Sequence, residues 1–208
     1  MKSALSPDDF LPGETLLLSK GANLVIKPSE HGLGRFAFDR LMWVVGMKQK
    51  EALGGELHLT NYRLLFKTHG FNRLRGRISL FLPSLLEARD ASFLFVRKIV
   101  VSTHLTRAEI VVWGIPELLN AMQRAAGALS PADFEAMRAH AAAHPERVGA
   151  GLRVNATLED LNDLALAGES VVELLKAAAN PLEAIGSLAL AELLSRTVEE
   201  GWQRPFNR

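Results

Sequence analysis

Residues 54–67, GGELHLTNYRLLFK, constrain the fold of this 208-residue chain more than any other stretch. Leu57 and Leu59 alternate with Glu56, His58 and Thr60, the two-residue period of a half-buried strand. Thr60-Asn61 predicts a tight turn, because Asn tolerates left-handed backbone geometry. Leu64, Leu65 and Phe66 then form the apolar part of a second strand. Ahead of both, Gly54-Gly55 predicts a turn with free choice of φ.

Other short strands surround this hairpin. Leu16, Leu17 and Leu18 precede a predicted Gly-Ala-Asn turn at 21–23, and Leu24, Val25 and Ile26 follow it. Residues 33–50 mix Phe36, Phe38, Trp43, Val44 and Val45 with Arg35, Asp39 and Arg40. Further strands are expected at 77–82, 93–96, 98–103 and 109–113. Short strands at close spacing with turns between them predict a sandwich or barrel.

After Gly114 the period changes. Leu118, Leu119 and Met122 recur at helical spacing over 115–127, with Pro116 in the first turn and Gly127 as a stop. From residue 128 the pattern is helical. Ser130-Pro131 caps a helix running to about residue 144. Thr157 and Asp160 open a run with Leu158, Leu161 and Leu164, Gly168 breaks it, and residues 170–179 continue. Asn180-Pro181 caps a last helix whose broad apolar face (Leu182, Ile185, Leu188, Ala189, Val198, widened by Leu190, Leu193 and Leu194) needs a partner. Pro145, Gly149 and Gly151 make 145–156 the expected linker.

The stretch 54–67 resembles the GRAM domain family, whose fold is like that of pleckstrin-homology domains. Leu11-Pro12-Gly13-Glu14 matches the family's early element. Gly55, Leu57, Leu59, Thr60, Asn61, Arg63, Leu64 and Phe66 match its central run, and the helix opening at Ile115-Pro116-Glu117 matches its closing helix. The resemblance covers about residues 10–127. It implies an α+β architecture: a PH-like antiparallel β-barrel or sandwich of about seven strands with a closing helix. Residues 128–208 then form a helical C-terminal region. The resemblance also implies a module that docks on membrane lipids or protein partners, with no catalytic residues. The matched Leu, Phe and Gly positions serve packing and turns, so the bound partner has to be sought on the charged surface.

That charge is uneven. Residues 1–116 hold 16 Lys+Arg against 10 Asp+Glu, and residues 117–208 hold 8 against 13. No Asp or Glu occurs from Leu57 to Leu86, which include Arg63, Lys67, Arg73, Arg75 and Arg77. Arg73, Arg75 and Arg77 alternate and would project to one side of an extended chain. With Phe71 and Leu74 among them they suit an anionic membrane surface, where each cation contributes about 1 kcal/mol and the guanidinium fork fits phosphate oxygens. Lys20 and Lys27, around the neighbouring predicted hairpin, join them. The expected lipid- or phosphate-binding set is Lys20, Lys27, Lys67, Arg73, Arg75 and Arg77. The bland alternative is a solvated loop. Nucleic acid is disfavoured by the near-neutral total of +1 and a single tyrosine.

Enzymatic signals are weak. The chain has no cysteine, which removes thiolate nucleophiles, disulfides and Cys-based metal sites. His140 and His144 lie four apart, but HAAAH lacks the metalloprotease glutamate, and both are expected to be exposed. His31-Gly32-Leu33-Gly34 is expected as a turn, Trp43, Trp113 and the Phe residues as core, and Asp8-Asp9 as solvated lead-in. No nucleotide-binding or nucleophile-elbow motif appears, and no catalytic residue, cofactor or metal is expected. With no long apolar run and no leader-like N-terminus, the chain is expected in the cytoplasm, peripheral to a membrane. A protein-interaction adaptor using the helical tail is the alternative, with homo-oligomerisation through those helices. The acidic tail is also a candidate shield for the basic loop.

Overall fold

The computed structural model describes residues 5–26, 51–70, 75–150 and 181–195. Seven strands form one antiparallel sheet among them: β1 (Leu16–Ile26), β2 (Glu51–Thr60), β3 (Arg63–Thr68), β4 (Arg77–Phe81), β5 (Glu87–Asp90), β6 (Lys98–Ser102) and β7 (Arg107–Val112). Their spatial order is β4-β3-β2-β1-β7-β6-β5. Helices α1 (Ile115–Ala128), α2 (Pro131–Ala143) and α3 (Pro181–Ser195) follow. The expected α+β class holds. Expectations for residues 27–50, including Lys27 and Trp43, fall outside the described residues, as do those for Phe71, Arg73 and Leu74, for 151–180 and for Val198.

Residues directly opposite in a ladder share a face of the sheet, and here the pairings sort the core. Leu24 faces Leu53, Leu57 faces Phe66, and Leu59 faces Leu64. Phe66 faces Ile78, and Ile99 faces Ile110. All these side chains are buried in one cluster. Helix α1 lays Ile115, Leu118, Leu119, Met122 and Ala125 on that face. It starts where Gly114 ends β7 and where Pro116, lacking an N–H, costs the first turn nothing. Helix α2 is fixed by a reciprocal cap: Asp133 N–H donates to Ser130 Oγ at 3.1 Å, and Ser130 N–H donates to Asp133 Oδ2 at 2.9 Å.

The other face is also covered at β3 and β4. Residues 145–150, expected as a linker, pack onto it: Val148 and Ala150 join the core cluster, and Gly149 adopts a left-handed φ of 85° against the Arg77 carbonyl. Gly186 of α3 lies in turn on Gly149, where a Cβ would stand 2.5 Å from its carbonyl oxygen. Helix α3 is mostly apolar, with Glu183 and Ser195 exposed and Ser187 and Glu192 buried, and it sits largely inside the core. Leu182, Ile185, Leu190, Leu193 and Leu194 are buried in the common cluster, and Leu188 and Ala189 are buried as well.

Two expected turns and one expected strand differ in the structure. Gly21, Ala22 and Asn23 do not turn. They continue β1 and pair with Glu56, Gly55 and Gly54 of β2. Gly54-Gly55 likewise is not a turn but the middle of β2. The φ of Gly55 is ordinary, and its missing side chain makes room for its neighbours instead. A Cβ there would collide with the Lys67 carbonyl and come 2.5 Å from Phe66 Cζ. Residues 93–96, expected as a strand, form a hairpin tip between β5 and β6 with one bridge, Phe93 to Val96. β5 itself, a four-residue strand EARD, has no apolar alternation to announce it.

Overpacking a well-filled core typically costs about 1–3 kcal/mol. Gly55→Ala is therefore expected to lower the urea midpoint by that order with an unchanged m-value. Gly21→Ala, whose Cβ meets nothing within 4 Å, is expected to leave it nearly unmoved. Equal midpoints for the two variants would contradict the packing role given to Gly55.

Candidate functional site

The residues of the two matching segments, 11–14 and 54–67, converge at the β2–β3 turn. Arg63 is completely buried, as is the side chain of Glu14. Burying a guanidinium is tolerable only if its five N–H groups find acceptors, and here all five do. Nε donates to Glu14 Oε1 at 2.8 Å and Nη2 to Glu14 Oε2 at 3.0 Å, a two-pronged grip. Nη1 donates to Ser79 Oγ at 2.7 Å and to the Arg147 carbonyl at 3.0 Å, and Nη2 to the Asp9 carbonyl at 2.6 Å. Glu14 also accepts from Thr60 Oγ1 and from the Leu11 N–H, both at 2.7 Å.

Asn61 does not use the left-handed backbone expected of it, since Leu94 is the one non-glycine residue with positive φ among those described. Its side chain acts instead. Oδ1 accepts from the Thr15 N–H at 2.7 Å, and Nδ2 donates to the Gly13 carbonyl at 3.0 Å.

The expected cationic residues divide into separate places. Lys67 and Arg77 face each other across the β3–β4 ladder and share Asp9. Lys67 Nζ reaches Asp9 Oδ2 at 2.9 Å, and Arg77 Nη1 reaches Oδ1. Asp9 is 3% exposed, which corrects its expected place in a solvated lead-in: the cost of taking its carboxylate out of water is offset by the two cations and the Ser6 donors that meet it. Burial pushes its pKa up, but the Lys67 and Ser6 hydrogen bonds and the Arg77 charge outweigh that and hold it at about 2. Arg75 is exposed beyond this pair. Lys20 lies on the opposite face, in register with Leu57 rather than with Lys67's partner Glu56, and pairs with Glu117 of α1 at 2.7 Å. Lys20 therefore does not converge with Lys67, Arg75 and Arg77. Lys27 and Arg73 are outside the described residues.

His140 and His144 stack with ring centroids 4.6 Å apart. Neither is fully exposed as expected, because α2 packs that stretch against the chain. Burial, with the nearby His144 and Arg147 charges, lowers the His140 pKa. No group of three or more His, Asp or Glu able to hold a metal occurs among the described residues. No described helix is long and apolar enough to cross a membrane.

Sequence reasoning missed the most exposed apolar surface. Phe93, Leu94, Phe95 and Val96 are 73%, 74%, 93% and 51% exposed, and Trp113, expected in the core, is 71% exposed. A run of Phe, Leu and Val satisfies strand propensity whether it is buried or at a hairpin tip, so composition alone could not separate the two. The flanking Ser92 and Arg97-Lys98 were the available signal.

No family model matches the chain, and no curated protein matches it. Among solved structures it is similar to the C-terminal domain of an unknown protein from Leishmania infantum, at TM-score 0.39 and 18% identity. The match covers 55% of this chain and 85% of that one.

Two outcomes follow from the buried charges. Glu14→Gln leaves Arg63 buried without its counter-charge and is expected to cost about 3–5 kcal/mol, whereas Glu14→Leu with Arg63→Met should cost less than the sum of the two single changes; additivity in a double-mutant cycle would refute the pairing. Asp9 has a folded pKa near 2 against an ordinary 3.8. Its stabilising contribution is therefore complete above the ordinary value and lost as pH falls through about 2. Asp9→Asn is expected to flatten the acid limb of stability against pH in that window.

Proposed function

We propose that this chain is a non-catalytic, cytoplasmic binding module of the GRAM type, docking on anionic lipid headgroups through the end of the sheet where β3 turns into β4. The observation that carries this reading is the convergence of Lys67 and Arg77 on one pair of anionic oxygens, those of Asp9. A site that grips a carboxylate between an ammonium and a guanidinium has the donors a phosphate needs. Arg75 stands exposed beside it, and the connecting loop carries Arg73. Asp9 and Glu56 supply the nearby negative charge, so the N-terminal turn holding Asp9 competes with an incoming headgroup for the same cations.

The GRAM-type reading draws on the buried Glu14–Arg63–Thr60 network, which joins the Pro-Gly-Glu element to the Thr-Asn-x-Arg element in space. A helix at Ile115-Pro116 lying over the sheet core agrees with it. The adaptor alternative loses its most apolar candidate surface, since α3 buries its leucines within the chain.

Cosedimentation with phosphatidylserine-doped vesicles at low salt tests the proposal. Arg73→Glu with Arg75→Glu is expected to lower binding by about tenfold or more, given about 1 kcal/mol per cation near the surface. Raised salt is expected to have the same effect on the unaltered protein. Unchanged binding in the reversed variant at low salt would remove the basic hairpin from the mechanism.

A further inference from the structure

Because neighbouring strands alternate in direction, the β3–β4 turn and the β5–β6 turn lie at opposite ends of the sheet. The second of these ends is apolar. Phe93 and Val96 exchange backbone hydrogen bonds of 3.1 and 3.0 Å, closing a two-residue turn with Leu94 and Phe95 at its centre. The Val112 N–H donates to the Arg97 carbonyl at 3.0 Å, continuing the register in which Lys98 faces Val111. Trp113, the next residue after Val112, leaves β7 at this same end of the sheet. Five large apolar side chains, each more than half exposed, thus gather around one hairpin tip.

The tip is built against local preference. Leu94 holds φ at 51°, a conformation that Gly or Asn adopts readily and that other residues adopt at a cost of about 1 kcal/mol or more. A turn serving only to reverse the chain would carry Asn-Gly or Asp-Gly. This one presents Leu and Phe, the latter 93% exposed.

The charges behind the tip identify what covers it. Glu109 is bound to Lys98 at 3.0 Å, and Glu117 to Lys20. The Asp90 carboxylate is turned back to the Ser92 N–H at 2.8 Å. Arg97, immediately behind Val96, is exposed, and, beyond the Ser92 hydrogen bonds, its charge helps hold the nearby Asp90 carboxyl below its ordinary pKa. In order from the tip come aliphatic and aromatic groups, then an indole, then a guanidinium. A lipid leaflet offers the complementary layers: acyl boundary, interface favourable to Trp, then phosphate. The tip side chains stand exposed, so a bilayer accepts them without having to supply a pocket.

We propose that the β5–β6 hairpin tip and Trp113 form a membrane-insertion element that enters the interfacial layer of a lipid bilayer, with Arg97 at the phosphate level. This site is distinct from the basic β3–β4 end and does not depend on it. Its driving force is apolar burial, which survives salt and does not need anionic lipid.

The test uses the full chain and vesicles of phosphatidylcholine alone, in about 1 M salt, where the screening length falls to about 3 Å. The unaltered protein is expected to cosediment, and brominated acyl chains are expected to quench fluorescence that Trp113→Phe no longer shows. Phe93→Ser with Phe95→Ser is expected to lower partitioning by about 100-fold, roughly tenfold per ring. These side chains are exposed, so the thermal midpoint should stay put and confirm folding. No partitioning of the unaltered protein, or equal partitioning of the double variant, overturns the proposal. So does loss in the double variant of a dimer seen by sedimentation velocity without vesicles, since that would assign the tip to a second copy. Arg73→Glu with Arg75→Glu is expected to leave binding to phosphatidylcholine in about 1 M salt intact while removing only the additional, salt-sensitive binding to phosphatidylserine-doped vesicles, so failure of either reading is separable from failure of the other.

Discussion

Arg63 is the residue on which the rest of the architecture depends. Its five donors reach Glu14, Ser79 and the carbonyls of Asp9 and Arg147, so one guanidinium ties the N-terminal turn, two adjacent strands and the segment after α2 to the same point. A hydrophobic contact could hold these pieces together, but it could not fix their register so narrowly. Buried ion pairs contribute little net stability compared with apolar substitutes. Their larger consequence here is geometric, because any slip of β3 by one residue would turn Arg63 into the apolar core and strand Glu14.

That slip-proofing explains which parts of the molecule were legible in the sequence. The β2–β3 hairpin was plain because Leu57 and Leu59 alternate with polar residues, a turn follows, and an apolar run from Leu64 to Phe66 comes after it; Leu57, Leu59, Leu64 and Phe66 land together on one face. Helices α1 and α2 were plain because Pro116 and Ser130-Pro131 mark their starts. Glycine was the main source of error. By composition Gly21, Gly54 and Gly55 predict turns, whereas they lie in the long β1–β2 ladder, and at Gly55 the reason is the Phe66 ring. A single sequence does not say whether a glycine is there for its φ or for the space above it.

The candidate site was less legible than the fold. Lys67 and Arg77 were singled out, but the buried carboxylate between them was read as solvated, because a pair of aspartates near the start of a chain has no periodicity to announce a tertiary role. The grouping with Lys20 failed on parity: Lys20 shares a face with Leu57, and Lys67 shares the other with Glu56. The two ends of the sheet consequently differ in chemistry, one cationic and polar, the other aromatic. Their separation is set by strand direction alone and needs no further specification in the side chains.

The packing of Gly149 and Gly186 has a consequence for behaviour in concentrated solution. β4 is the outermost strand on its side of the sheet, and such a strand normally offers unpaired backbone groups to any extended segment it meets. Here the chain's own later residues occupy that border, with Gly149 against the Arg77 carbonyl and α3 packed over β4. Strand addition and runaway self-association are blocked there from within the molecule. At the opposite border β5 is four residues long and carries Glu87, Arg89 and Asp90, a short and charged template that recruits poorly. The helical tail thus does for the sheet what a solubilising partner would otherwise have to do.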